Sequence, residues 1–146
     1  MEEVAVIPAK GGTETILVAE DEPSVLRLVT QTLRSVGYTV LAARDGNEAL
    51  SVFEEHAKRV SLVLLDVMMP KMSGREVMDR IRPSFPNLPF LFSSGYSEDA
   101  IHTDFVIQDG LRLIQKPYRR DELLREVRRV LDAAGPSIQS EEKERP

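Results

Sequence analysis

Apolar and polar residues along this chain follow two alternating periods. Short continuous apolar runs predict strands at Ile16–Ala19, Tyr38–Ala42, Leu62–Asp66, Phe90–Ser93 and Arg112–Gln115. Between and after them, residues at helical spacing predict helices at about Pro23–Val36, Gly46–His56, Gly74–Ile81, Glu98–Ile107 and Arg120–Ala133. Val25, Leu26, Val29, Leu33 and Val36 form one apolar stripe, and Gly37 then supplies a stop. Leu123, Leu124, Val127, Val130 and Leu131 form another. The pattern of the helix at Glu98–Ile107 is interrupted by His102, Thr103 and Asp104. Five strand–helix units predict an α/β fold, a parallel sheet covered by helices on both faces.

The run Leu62-Val63-Leu64-Leu65-Asp66-Val67-Met68-Met69-Pro70 carries the most information. An uninterrupted apolar run that ends in a turn predicts a strand buried on both faces. Ligands of such sheets bind beyond the carboxyl ends of the strands, where Asp66 falls. Taken alone, an Asp there is more often a turn or cap residue. Its neighbours change that reading. Glu20 and Asp21 follow the first strand, and in the doubly wound order 2-1-3-4-5 the first and third strands are adjacent. The three carboxylates then share one rim and repel each other unless a hard cation such as Mg²⁺ neutralises them. An acidic helix start accounts for Glu22 and Pro23, but not for a second strand that also ends in Asp. Ser93-Ser94-Gly95 and Gln115-Lys116-Pro117 add a hydroxyl and an ammonium to the same rim. Singly these are ordinary surface residues. Together they describe a phosphoryl site with Asp66 as the attacking carboxylate.

Composition narrows the possibilities. The 146 residues suit one domain, and the net charge of −5 argues mildly against nucleic acid as a partner. There is no cysteine, so disulfides and thiolate metal sites are excluded. No apolar stretch is long enough to span a membrane, and the N-terminus lacks a signal-peptide pattern. The first 13 residues read as a linker or chain edge, residues 14–134 as the domain, and residues 135–146 as a disordered tail. His56 and His102 lack metal-ligand spacing. The arginines from Arg119 to Arg129 alternate with acids and read as a solvated, salt-bridged face.

With Leu17-Val18-Ala19-Glu20-Asp21-Glu22, Leu64-Leu65-Asp66-Val67-Met68-Met69-Pro70, Ser94 and Lys116-Pro117 in hand, the chain resembles a response-regulator receiver domain of bacterial two-component signalling. The likeness covers roughly Glu14 to Ala134. It implies a flavodoxin-like, doubly wound, five-stranded parallel sheet with five helices. It implies that Asp66 accepts a phosphoryl group from a phosphohistidine on a partner kinase or phosphotransfer domain. It further implies that Asp21, Asp66 and the Met68 carbonyl ligate Mg²⁺, with Glu20 helping through water. Ser94 and Lys116 would hold phosphoryl oxygens, and the Lys116–Pro117 bond would be cis. Such a domain assists its own phosphotransfer and dephosphorylation, in the cytoplasm, without contacting membrane or nucleic acid. Its switching surface would be the fourth helix, fifth strand and last helix, which could also form a weak homodimer.

Two positions depart from the family pattern. The aromatic residue often found three before the lysine is Leu113 here, and Gly95 replaces the Ala that commonly follows the hydroxyl residue. The segment Ile7–Val18 resembles the junction after the ATPase domain of hybrid histidine kinases. The expected context is therefore a receiver at the C-terminus of such a kinase, with a free-standing receiver as the alternative. Other classes fit less well. An Asp-nucleophile phosphatase or dehalogenase would place a second Asp where Met68 stands. A flavodoxin-like electron carrier would not put acids in the loop Glu20–Pro23. A degenerate receiver would lack one of the acids, the hydroxyl or the lysine.

Overall fold

The computed structural model describes residues 11–95, 106 and 109–144, with 135–144 described by their backbone alone. Strands β1 (Thr15–Ala19), β2 (Thr39–Ala43), β3 (Val60–Asp66), β4 (Phe90–Ser94) and β5 (Arg112–Gln115) form one parallel sheet in the order β2-β1-β3-β4-β5. Among the described residues there are four helices: α1 (Pro23–Ser35), α2 (Gly46–His56), α3 (Gly74–Ile81) and α4 (Arg120–Glu144). The helix predicted at Glu98–Ile107 lies outside the described residues except for Val106, which is helical and buried.

Strand alternation explains the two layers of the core. Ile16, Val18, Leu62, Leu64, Leu91 and Ile114 face α1 and α4, meeting Val29, Leu33, Leu123, Leu124 and Val127. Their neighbours Leu17, Ala19, Val63, Leu65, Phe90 and Phe92 face α2, α3 and Val106. A central strand covered on both faces has no polar side, which is why β3 reads as a single apolar run.

Local chemistry sets the helix starts. Asp45 caps α2 by accepting from the Glu48 amide at 2.8 Å. Ser73 and Glu76 form a reciprocal capping box on α3, at 3.2 and 3.0 Å. Pro23 opens α1, where its missing N–H costs nothing. Gly37 follows α1 at φ 108°, a left-handed conformation suited to glycine, and a side chain there would strike the Gly12 carbonyl.

Two differences from the sequence reading concern the ends. Gly11 and Gly12, read as linker, are packed: the Gly12 amide donates to the Val36 carbonyl at 3.2 Å, and a Cβ on either glycine would collide with its neighbours. Glycines were needed for close approach, not for looseness. At the other end the backbone of α4 is helical to Glu144, past the predicted stop at Ala133.

Candidate functional site

The strand register brings the candidate residues together. Ala19 of β1 lies beside Leu65 of β3, so Glu20 and Asp21 emerge next to Asp66. Asp66 in turn pairs with Ser93, and Ser94 pairs with Gln115, which places Ser94 and Lys116 on the same rim. Glu20, Asp21 and Asp66 each offer a carboxylate oxygen, and these oxygens lie within 4.8 Å of one another. Glu20 and Asp66 are each only 2% exposed, whereas Asp21 is exposed.

Lys116 bridges the buried pair. Its ammonium donates to Asp66 Oδ2 at 3.0 Å and to Glu20 Oε1 at 3.2 Å. Burial works against its charge, yet Asp66 and then Glu20 outweigh that cost and hold the ammonium above the ordinary lysine range. Among the described residues, three carboxylates around one ammonium leave a formal charge of −2 on the rim. The backbone fastens the parts. The Lys116 amide donates to the Ser94 carbonyl at 2.8 Å, and the Val67 amide to the Ser93 carbonyl at 2.8 Å. The Met68 amide donates to Asp66 Oδ1 at 3.3 Å, and Met68 itself is 40% exposed. The Lys116–Pro117 bond is cis, as the resemblance implied.

Glu20 plays a larger part than the sequence suggested. Besides binding Lys116, its Oε2 accepts the Glu22 amide at 3.0 Å, a cap for α1 from outside the helix. Asp21 does not cap α1: Glu22 occupies that position, without a side-chain bond. Asp21 is thus left facing the rim.

Sequence reasoning passed over three residues at or near the site. A Cβ on Gly74 would collide with the Asp66 carbonyl, so glycine lets α3 start against the strand end. Ser93, 1% exposed, lies on the opposite face of β4 from Ser94, and Tyr118 is partly buried against the layer it faces. Burial, above all, pushes the Tyr118 phenol above its ordinary range. The available signals were a serine in an apolar strand and an aromatic residue two positions beyond the site lysine. A Cβ on Gly95 would meet only Lys116 Cε, at 3.9 Å, so this glycine opens the rim without any steric demand for it. Leu113 is partly buried against the α2/α3 layer.

Comparison with known proteins agrees with this geometry. The model of the response regulator receiver domain family matches residues 16–128. This chain belongs to that family. Over 121 residues it is 36% identical to the sensor kinase CckA of Brucella abortus (strain 2308), covering 83% of this chain but only 13% of that protein. Over 119 residues it is 30% identical to the response regulator receiver protein CpdR of the same organism, covering 82% of this chain and 98% of that one. Among solved structures, the receiver domain of the hybrid histidine kinase CckA superposes with a TM-score of 0.67 at 31% identity, covering 80% of this chain and 98% of that domain. The fold is thus the flavodoxin-like sheet of receivers, and the domain is a phosphoacceptor module of two-component signalling.

Proposed function

We propose that Asp66 is the phosphoacceptor and that the rim around it performs the transfer. The observation that carries this reading is the bridge from Lys116 to Asp66 inside a three-carboxylate rim. An ordinary structural ion pair would not need two further acids. An Asp66 oxygen attacks the phosphorus of a phosphohistidine in line. The new O–P bond forms as the P–N bond breaks, and the departing imidazole takes up a proton. Lys116, already on Asp66, moves onto a phosphoryl oxygen, and the Ser94 hydroxyl donates to another.

The oxygen donors and net charge of −2 suit a hard divalent cation. Asp21, Asp66 and the Met68 carbonyl would hold Mg²⁺, with Glu20 acting through water. When bound, the ion supplies positive charge to the phosphoryl oxygens during transfer. Because Glu20 is engaged with Lys116 and the Glu22 amide, an outer role suits it better than direct ligation.

The partner would be a histidine kinase or phosphotransfer domain, and the parent chain a hybrid histidine kinase, in keeping with the likeness to the CckA receiver. The family resemblance and the lack of cysteine favour the cytoplasm, and no helix among the described residues is long and apolar enough to cross a membrane. The switching and weak dimerising surface would include β5 and α4.

The test is direct. Incubation with Mg²⁺ and acetyl phosphate, followed by trapping and peptide mapping, is expected to give one adduct, on Asp66. A stable adduct on any other residue would overturn the assignment. Beryllofluoride, which mimics the phosphoryl group, should alter amide exchange more in residues 94–114 than in residues 38–56.

A further inference from the structure

Among the described residues, Lys71 is the one non-glycine residue with a left-handed backbone, at φ 72°. The Met72 amide donates to the Pro70 carbonyl at 2.7 Å, so Pro70, Lys71 and Met72 close a γ-turn of the strained form. A side chain is unfavourable in this conformation, and such strain persists only where the surroundings impose it. Here they do. The loop from Val67 to Ser73 joins β3 to α3, and both its ends are fixed. The Val67 amide donates to the Ser93 carbonyl at 2.8 Å, and the Gly74 amide to the Val67 carbonyl at 3.0 Å. Met69 and Met72 are buried in the layer of α2 and α3, whereas Met68, Pro70 and Lys71 are exposed. A Cβ on Gly46 of α2 would collide with the side chain and carbonyl of Met72, so Met72 cannot shift toward that helix. A chain that dips in at Met69, surfaces at Pro70 and Lys71 and dips again at Met72 must reverse within the exposed pair. Burial of two thioether side chains outweighs the strain of one left-handed residue.

We propose that Lys71 is a positioning residue for the cation of the phosphoryl site, its left-handed turn pinning the loop that supplies the Met68 carbonyl. This role rests on the reading of Asp21, Asp66 and the Met68 carbonyl as the Mg²⁺ ligands. A carboxylate can swing onto an ion by its own side-chain torsions, but a backbone carbonyl goes only where its peptide goes. The peptide from Met68 to Met69 is held on one side by the Met68 amide, which donates to Asp66 Oδ1 at 3.3 Å. On the other side it is held by the burial of Met69, whose place the turn at Lys71 fixes against Met72. If Lys71 relaxed to an ordinary backbone, the bond from Met72 to Pro70 would break and the peptide of Met68 would be free to rotate. A loop ordered in advance presents its carbonyl without a further loss of entropy on binding. The role belongs to the backbone and not to the ammonium, so glycine, which enters the left-handed region freely, should serve as well.

The test uses the full chain, melted without metal and then titrated with Mg²⁺ by calorimetry. Three variants remove the same charge and differ only in the backbone they allow. Lys71→Gly should bind Mg²⁺ as the wild type does and melt about 2–5 °C higher, because its turn is unstrained. Lys71→Pro fixes φ in the ordinary negative region and forbids the turn, so it should bind about tenfold more weakly than Lys71→Gly. Lys71→Val, whose branched side chain disfavours positive φ, should bind about threefold more weakly. If Lys71→Pro does not fold, Lys71→Val decides. Wild-type affinity in the folded proline variant, or in the valine variant where proline does not fold, would overturn the proposal whatever the melting temperatures show. So would a loss of affinity or of melting temperature in Lys71→Gly, which would assign the effect to the ammonium or deny the strain. Unweakened binding in Asp21→Ala would instead overturn the ligand set, and this proposal with it.

Discussion

Two ion clusters sit at opposite ends of β1, and they differ in how their charge is balanced. Before the strand, Glu14 binds Arg128 of α4 at 2.7 Å. The same guanidinium donates to Asp132 at 3.0 Å, to the Gly11 carbonyl at 3.1 Å and to the Tyr38 hydroxyl at 3.3 Å. Its planar fork of donors is well used, and hydrogen bonding to Glu14, more than anything else, holds the guanidinium charged and the carboxyl low. After the strand, Glu20 and Asp66 share one ammonium while Asp21 faces the same rim. Arg128 closes a structure, whereas Lys116 under-neutralises a rim and leaves it an appetite for positive charge. A cluster that is satisfied stabilises the fold, and one that is not is poised to react.

Breaking the reactive cluster should give the largest effect. Asp66→Asn keeps the shape of the side chain but removes the proposed nucleophile, so labelling by acetyl phosphate should vanish. Full labelling of this variant would move the reaction elsewhere. Next comes the cation. Asp21→Ala should weaken Mg²⁺ binding at least about tenfold in a calorimetric titration. Glu20→Ala should weaken it less, or even tighten it by relieving repulsion. Equal affinity in Asp21→Ala and the wild type would rule out this ligand set.

The structural cluster should respond in stability alone. Arg128→Met leaves Glu14 and Tyr38 without their shared donor, and should cost about 1–3 kcal/mol in urea unfolding. Labelling of Asp66 should be unaffected, and a parallel loss of labelling would mean that the two ends of β1 are coupled. The smallest effect concerns pH. The folded Glu14 carboxyl titrates below its ordinary value of 4.5, so the unfolded chain binds the proton more readily. Its contribution is therefore full above that value and fades as the pH falls through the folded pKa. Partial exposure limits the size of this contribution. Glu14→Gln should flatten the acid limb of the stability profile, and an unchanged limb would show that other carboxylates govern it.

The residues of the reactive rim could be read from the chain because each stands at the end of a strand. Helix α4 was harder. Its arginines alternate with acids, which predicts a solvated face, and Arg129 does pair with Glu126 in that manner. Arg128 departs from it: only 17% exposed, it turns into the seam between α4 and the start of β1. Its partner Glu14 lies 114 residues away, and no local period can register that distance.

By itself the sequence determined the two-sided sheet, the strand ends and the acids, hydroxyl and lysine on the rim, because burial imposes a period and strand ends follow from it. Tertiary structure alone decided which of the adjacent acids is buried, that Glu20 rather than Asp21 takes Lys116, and that Gly74 must lack a side chain beside Asp66. It also decided that Ser93 is buried away from the site. These outcomes depend on which groups meet across the sheet, where desolvation and hydrogen bonding sort residues that a one-dimensional pattern treats alike.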